Sequence, residues 1–121
     1  MDIRGDVTID LREFGYDGQI VLGAPTFRRT NALQNALTKL VGIKDGEPVL
    51  LDTPIGDLNV LTHLAYVKSA PFYTGFDKGI EPFMEFMDKL DENERGSAQR
   101  LWKAIEDNVG RIIKGETHPL Q

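Results

Sequence analysis

A chain of 121 residues, 40% of them hydrophobic and 27% charged, has the length and composition of one folded domain with a single core, not of a disordered segment. Its formal charge of −5 argues against sequence-independent binding to nucleic acid, which needs a basic surface to neutralise phosphates. Without cysteine it can hold neither a disulfide framework nor a thiolate nucleophile, and its acidic first residues and short apolar runs match neither a secretory leader nor a membrane span, so a cytoplasmic chain with no membrane partner is expected.

Val7, Ile9 and Leu11 alternate with Thr8, Asp10 and Arg12, the period of two that a strand burying one face requires. Gln19 to Leu22 supplies a partner strand. Asp17-Gly18 between them suits a type I′ turn, so a β-hairpin is predicted over about residues 6–23. Gly23-Ala24-Pro25 ends it, because Pro25 has no N–H to donate to a ladder. Thr26 or Asn31 can cap a first helix, running from about Phe27 or Ala32 to Val41. Leu33, Ala36, Leu37 and Leu40 recur on its apolar face, and Gly42 stands as a left-handed terminator.

Lys44 to Pro48 carries a second turn signal, and Val49 to Leu51 reads either as a short third strand or as an extended connector. A second helix is predicted from an Asp57 cap to Ala70, with Leu58, Leu61, Leu64 and Ala65 as its stripe, Val60 and Val67 widening it, and Pro71 stopping it. Phe72 to Gly79 is an irregular loop that packs its rings on the core. Pro82 opens a third helix with Phe83, Phe86, Met87 and Leu90 on one face and Glu85, Asp88 and Lys89 on the other.

After the polar connector Asp91 to Gly96, a last helix starts near Ser97. It repeats Leu101, Trp102, Ile105, Val109, Ile112 and Ile113 at spacings of three and four and ends at Gly115. The expected fold is a single α+β domain over 1–121: an N-terminal β-hairpin, a mainly helical body of three to four helices over about 26–114, and a flexible tail over 115–121.

Catalytic chemistry finds no foothold. His63 and His118 lack partners at metal-ligand spacing, and His63 reads as a partly buried structural residue. Ser69 and Ser97 sit in no nucleophile elbow, and the 12 glycines form no phosphate loop. Asp88, Asp91, Glu92 and Glu94 lack the alternating order of a calcium loop and read as a solvated helix end. The expectation is a non-enzymatic protein without cofactor or metal.

Two features fit binding. Arg28 and Arg29 stand near a helix start, where cations oppose the helix dipole, so they are either an ordinary exposed pair or cations compensated by an acidic partner or surface. Among Phe72, Tyr73, Phe76, Phe83 and Phe86 most rings are needed for the core, and the loop residues Tyr73 and Phe76 are the candidates for a contact patch. The candidate partner-binding residues are Arg28, Arg29, Tyr73 and Phe76.

Asp-Leu-Arg-Glu-Phe-Gly-Tyr-Asp-Gly over residues 10–18, followed by Val-Leu-Gly-Ala-Pro-Thr-Phe-Arg-Arg over 21–29 and then helices, resembles the small tail assembly chaperones of long-tailed bacteriophages. In these a short hairpin runs through a Leu-x-x-Pro-Thr phrase into a helical body. Tyr66-Val-Lys-Ser-Ala-Pro-Phe72 and Phe83-Met-Glu-Phe-Met-Asp-Lys-Leu-Asp-Glu92 share that style.

The resemblance implies binding without catalysis in the host cytoplasm. Such chaperones keep the tail tape measure protein soluble, help the tail tube protein assemble around it and leave before the virion is complete; a longer frameshifted form is common. Rival expectations are a virion structural component, such as a head–tail joining or tail completion protein, and a small microbial regulatory protein. An exposed hairpin edge would also allow a homo-oligomer.

Overall fold

The computed structural model describes residues 6–38, 41–44, 46–50 and 55–115. The fold is α+β, an antiparallel sheet against a helical body. Strands β1 (Val7–Asp10) and β2 (Gln19–Leu22) form the expected hairpin, in register Val7 opposite Leu22 and Ile9 opposite Ile20. Ile9, Ile20 and Leu22 are buried, as the alternation demands of a one-faced strand.

The connection differs from the two-residue turn predicted at Asp17-Gly18. Asp10 accepts the Arg12 N–H at 3.0 Å and starts a 3₁₀ turn over Leu11–Phe14, which Gly15 ends in the left-handed region at φ 81°. This geometry sends both Leu11 and Phe14 into the core. Their burial outweighs the local preference of Asp-Gly for a tight turn. Tyr16 then packs its ring edge-on against Phe86, at 5.1 Å between centroids, joining the hairpin to the helices.

Helix α1 (Phe27–Thr38) begins where Thr26 accepts the Arg29 N–H at 3.1 Å, so Thr26 is the cap. It stops before the predicted Val41. Residues Val41–Lys44 form β3 instead, paired antiparallel with β4 (Glu47–Leu50), and Gly42 is a strand residue, not a helix terminator. The β-branched Val41 and Ile43 favour that outcome. The pairing reaches Lys44 opposite Glu47, and Gly46 beside it lies in the left-handed region at φ 80°. Leu40 and Leu51 lie outside the described residues.

Helix α2 (Ile55–Leu64) is shorter than predicted, and Asp57 lies within its first turn. Val67 does not extend the helical stripe: Val67–Ser69 is β5, which pairs with β2 and completes the sheet order β1-β2-β5. The Gly23 N–H donates to the Tyr66 carbonyl at 2.9 Å beside this pairing, and Val67 is buried by the sheet. A free edge on β2 was the stronger pull, because unpaired backbone groups there would be buried unsatisfied.

Helices α3 (Glu81–Asn93) and α4 (Ser97–Lys114) follow the predicted stripes. Pro82 occupies the first turn of α3. Leu90, Leu101 and Ile105 are fully buried between the two helices and the sheet. Ile113 departs from the stripe and is 66% exposed, because it lies off the face that carries Val109 and Ile112. Residues 116–121, most of the predicted tail, lie outside the described residues. Among the described residues no helix is long and apolar enough to cross a membrane.

Candidate binding surface

Arg29 joins the hairpin-to-helix junction to the 72–79 loop. Its position in the first turn of α1 opposes the dipole of that helix. Its guanidinium, however, reaches the opposite end of another helix: it donates to the Leu64 carbonyl, the last residue of α2, at 2.7 Å. A carbonyl left orphaned at a C-terminus is where a cation is favoured. The guanidinium also lies over the Phe76 ring, 4.2 Å from its centroid, a cation–π contact.

These contacts supply the compensation that the sequence asks for, through a helix end and an aromatic face in place of an acidic partner. Burial lowers the Arg29 pKa from its ordinary value while leaving the group charged, and its Nε is buried without a hydrogen-bond partner among the described residues.

The four predicted residues therefore divide. Arg29 and Phe76 are brought together, and Phe76 is buried, so its ring serves the latch and is no free contact surface. Arg28, on the same turn, is exposed. Tyr73 is 49% exposed and donates its hydroxyl hydrogen to Asp77, whose acceptor oxygen raises the tyrosine pKa; the Lys78 Nζ sits 5.0 Å over the ring. The loop turns tightly here, since a Cβ at Gly75 would collide with the Tyr73 hydroxyl. The remaining rings follow the core expectation: Phe72 packs on Phe83 and Phe86 at 5.3 and 5.2 Å.

Two concavities flank Arg29. One of about 530 Å³ is lined by Ala32, Ala36 and Leu61 on the helices and by Phe76 and Asp77 on the loop. A smaller one of about 220 Å³ lies between Ala24, Pro25 and Thr26 of the junction and Thr74 of the loop. Junction and loop thus present one surface, although more than 40 residues separate them in the chain.

Besides Ile113, sequence reasoning missed two exposed apolar residues. Phe27, the first residue of α1, is 89% exposed, and Met84 on α3 is 40% exposed. Both carried a readable signal. Phe27 follows the Thr26 cap and lies outside the stripe of Leu33, Ala36 and Leu37, and Met84 is out of register with Phe83, Phe86, Met87 and Leu90.

The histidine and acidic readings resolve structurally. The His63 ring is 2.8 Å from the Asn59 carbonyl through Nδ1 and packs against Trp102 at 5.0 Å between centroids. Asp91 accepts the Ala98 N–H at 3.0 Å and so caps α4 from the end of α3, while Glu94 pairs with Arg100 at 3.3 Å. Among the described residues no group of histidine and carboxylate side chains is arranged to hold a metal ion. Comparison with family models, with curated proteins and with solved structures finds no match for this chain.

Proposed function

We propose that this chain is a non-enzymatic holding protein acting as a phage tail assembly chaperone in the host cytoplasm, with the tape measure protein as its client and tail tube assembly as the step it assists. The observation that carries this reading is Phe27, 89% exposed beside the exposed Arg28 at the hairpin-to-helix junction. An aromatic ring held in water next to an arginine is the composition of a protein contact site. The same junction carries the phrase on which the resemblance to tail assembly chaperones leans, and Arg29 fixes it to the loop that exposes Tyr73.

Co-expression with the tape measure protein of the same genome tests the reading. The wild-type chain is expected to shift that protein from the pellet to the soluble fraction. The Phe27→Ala/Arg28→Ala double variant is expected to lose the effect with an unchanged circular dichroism spectrum and melting temperature, because both side chains are exposed. Recovery of the chain from purified virions would identify a structural component in place of a chaperone. An insoluble client with the wild-type chain present would remove the reading altogether.

A further inference from the structure

A separate concavity lies between α3 and α4, bordered by Val60 of α2. It measures about 300 Å³, and its apolar lining comes from Val60, Phe83, Met84, Met87 and Trp102. Phe83 and Met87 are buried and belong to the core, so the floor is fixed by packing. Met84 is exposed at its edge and is the adaptable part, since the unbranched thioether side chain can fill irregular shapes.

The charged side chains of this lining are Asp88 and Asp91, and no lysine or arginine contributes to it. Asp91 keeps one oxygen on the Ala98 N–H, and Asp88 is exposed. Helix α3 as a whole carries five carboxylates and one lysine, a net −4 within a chain whose formal total is −5. Helix α4, the other wall, carries four cations and two carboxylates, a net +2, so the acidity of the groove comes from α3 and from Asp88 and Asp91 in its lining, which favour a cationic occupant.

We propose that the α3–α4 groove docks a basic amphipathic helical segment of another polypeptide. Apolar anchors at helical spacing would enter between Met84 and Trp102, and flanking lysines or arginines would meet Asp88 and Asp91. The two lining carboxylates set this occupant apart from a second copy seated through the same groove, whose own Asp88 and Asp91 would face them. The inference rests on the holding role only in taking the occupant to be a polypeptide; it does not depend on the phage setting.

Trp102 is the chain's single tryptophan and lines the groove, so its emission reports docking directly. The probe is a synthetic tryptophan-free amphipathic helix of leucine and lysine, about five turns long so that it is helical when bound. Titration into the full-length chain is expected to give a saturable change in Trp102 emission that weakens at least about tenfold between low and high salt. A leucine–glutamate helix of the same pattern is expected not to bind.

Met84→Asp and Asp88→Lys are each expected to weaken the leucine–lysine helix by about tenfold or more, with unchanged circular dichroism and melting, and Met84→Leu to keep the affinity. Equal binding of the glutamate helix, or lysine-helix binding indifferent to both substitutions, overturns the proposal. So does concentration-dependent dimerisation abolished by Met84→Asp, which would make the face an interface between copies. A positive titration with a tape measure protein that stays insoluble in co-expression removes the phage reading alone. A soluble client with no peptide docking removes the groove alone.

Discussion

The two faces of this molecule are held by opposite means. At the junction, α1 and the 72–79 loop are fastened by one cation that crosses from a helix start to a helix end and an aromatic ring, contacts distant in sequence and polar in kind. In the helical pair, α3 and α4 are neighbours in the chain, close-packed through Leu90, Leu101 and Ile105, with a short connector in which Asp91 caps the second helix from the first. The difference is one of where stability resides. The helical pair draws it from apolar burial and can expose a charged rim at little cost, whereas the junction adds to the burial of Leu33 and Phe76 a single directional group.

The largest effect separating the two faces is expected in the helical pair. Leu90→Ala removes a fully buried side chain from between α3, α4 and the sheet, and should cost about 2–5 kcal/mol, a large share of the roughly 5–15 kcal/mol that holds a domain of this size. Denaturant unfolding measures it as a lower midpoint with an unchanged slope. A loss below about 1 kcal/mol would mean that the helices are not joined through a close-packed core.

The junction should break more gently and more specifically. Arg29→Ala leaves the Leu64 carbonyl without its donor and Phe76 without its cation, for an expected loss of about 1–3 kcal/mol. Arg29→Lys should recover only part of it, because an ammonium lacks the planar face that lies over the ring while the chain end reaches for a carbonyl. A double-mutant cycle with Phe76→Leu isolates the cation–π part, expected at about 0.5–2 kcal/mol. Additive single losses would show that Arg29 acts on the Leu64 carbonyl alone.

What could be read from the sequence follows the same division. The hairpin, the Thr26 cap, the apolar faces of α3 and α4 and the Gly115 terminus are local patterns, and local patterns are legible where propensity and burial agree. Gly42 apart, which a neighbouring strand draws into β3, the errors fall where a distant partner decides. Val67 scans as the last position of a helical stripe until β2 offers it a ladder, and Asp17-Gly18 reads as a tight turn until Leu11 and Phe14 are required in the core. Tyr73 and Phe76 look alike in sequence, yet Arg29, 47 positions earlier than Phe76, buries one ring and leaves the other half-exposed. The need for compensation at Arg29 could be read; the helix end that supplies it could not, because neither composition nor spacing locates the end of α2 beside the start of α1.

The smallest effect distinguishes the junction's latch from an ordinary ion pair elsewhere on the hairpin. Asp10 and Arg12 are bonded side by side at 2.8 Å in the exposed connection, and the hydrogen bonds from Arg12 hold the Asp10 pKa down from 3.8 to about 2. Because the folded value lies below the ordinary one, the pair's contribution is fully present above pH 3.8 and is lost as pH falls toward 2. Arg29 is bonded to a neutral carbonyl and a ring, neither of which titrates in that window. Stability measured at intervals through it should therefore fall slightly less steeply for Asp10→Asn than for the wild type, while Arg29→Ala keeps the wild-type slope from a lower starting point. If Arg29→Ala flattened the slope instead, a carboxylate would have to share the latch, and the junction would be an ion-pair network and not a cation seated on a helix end.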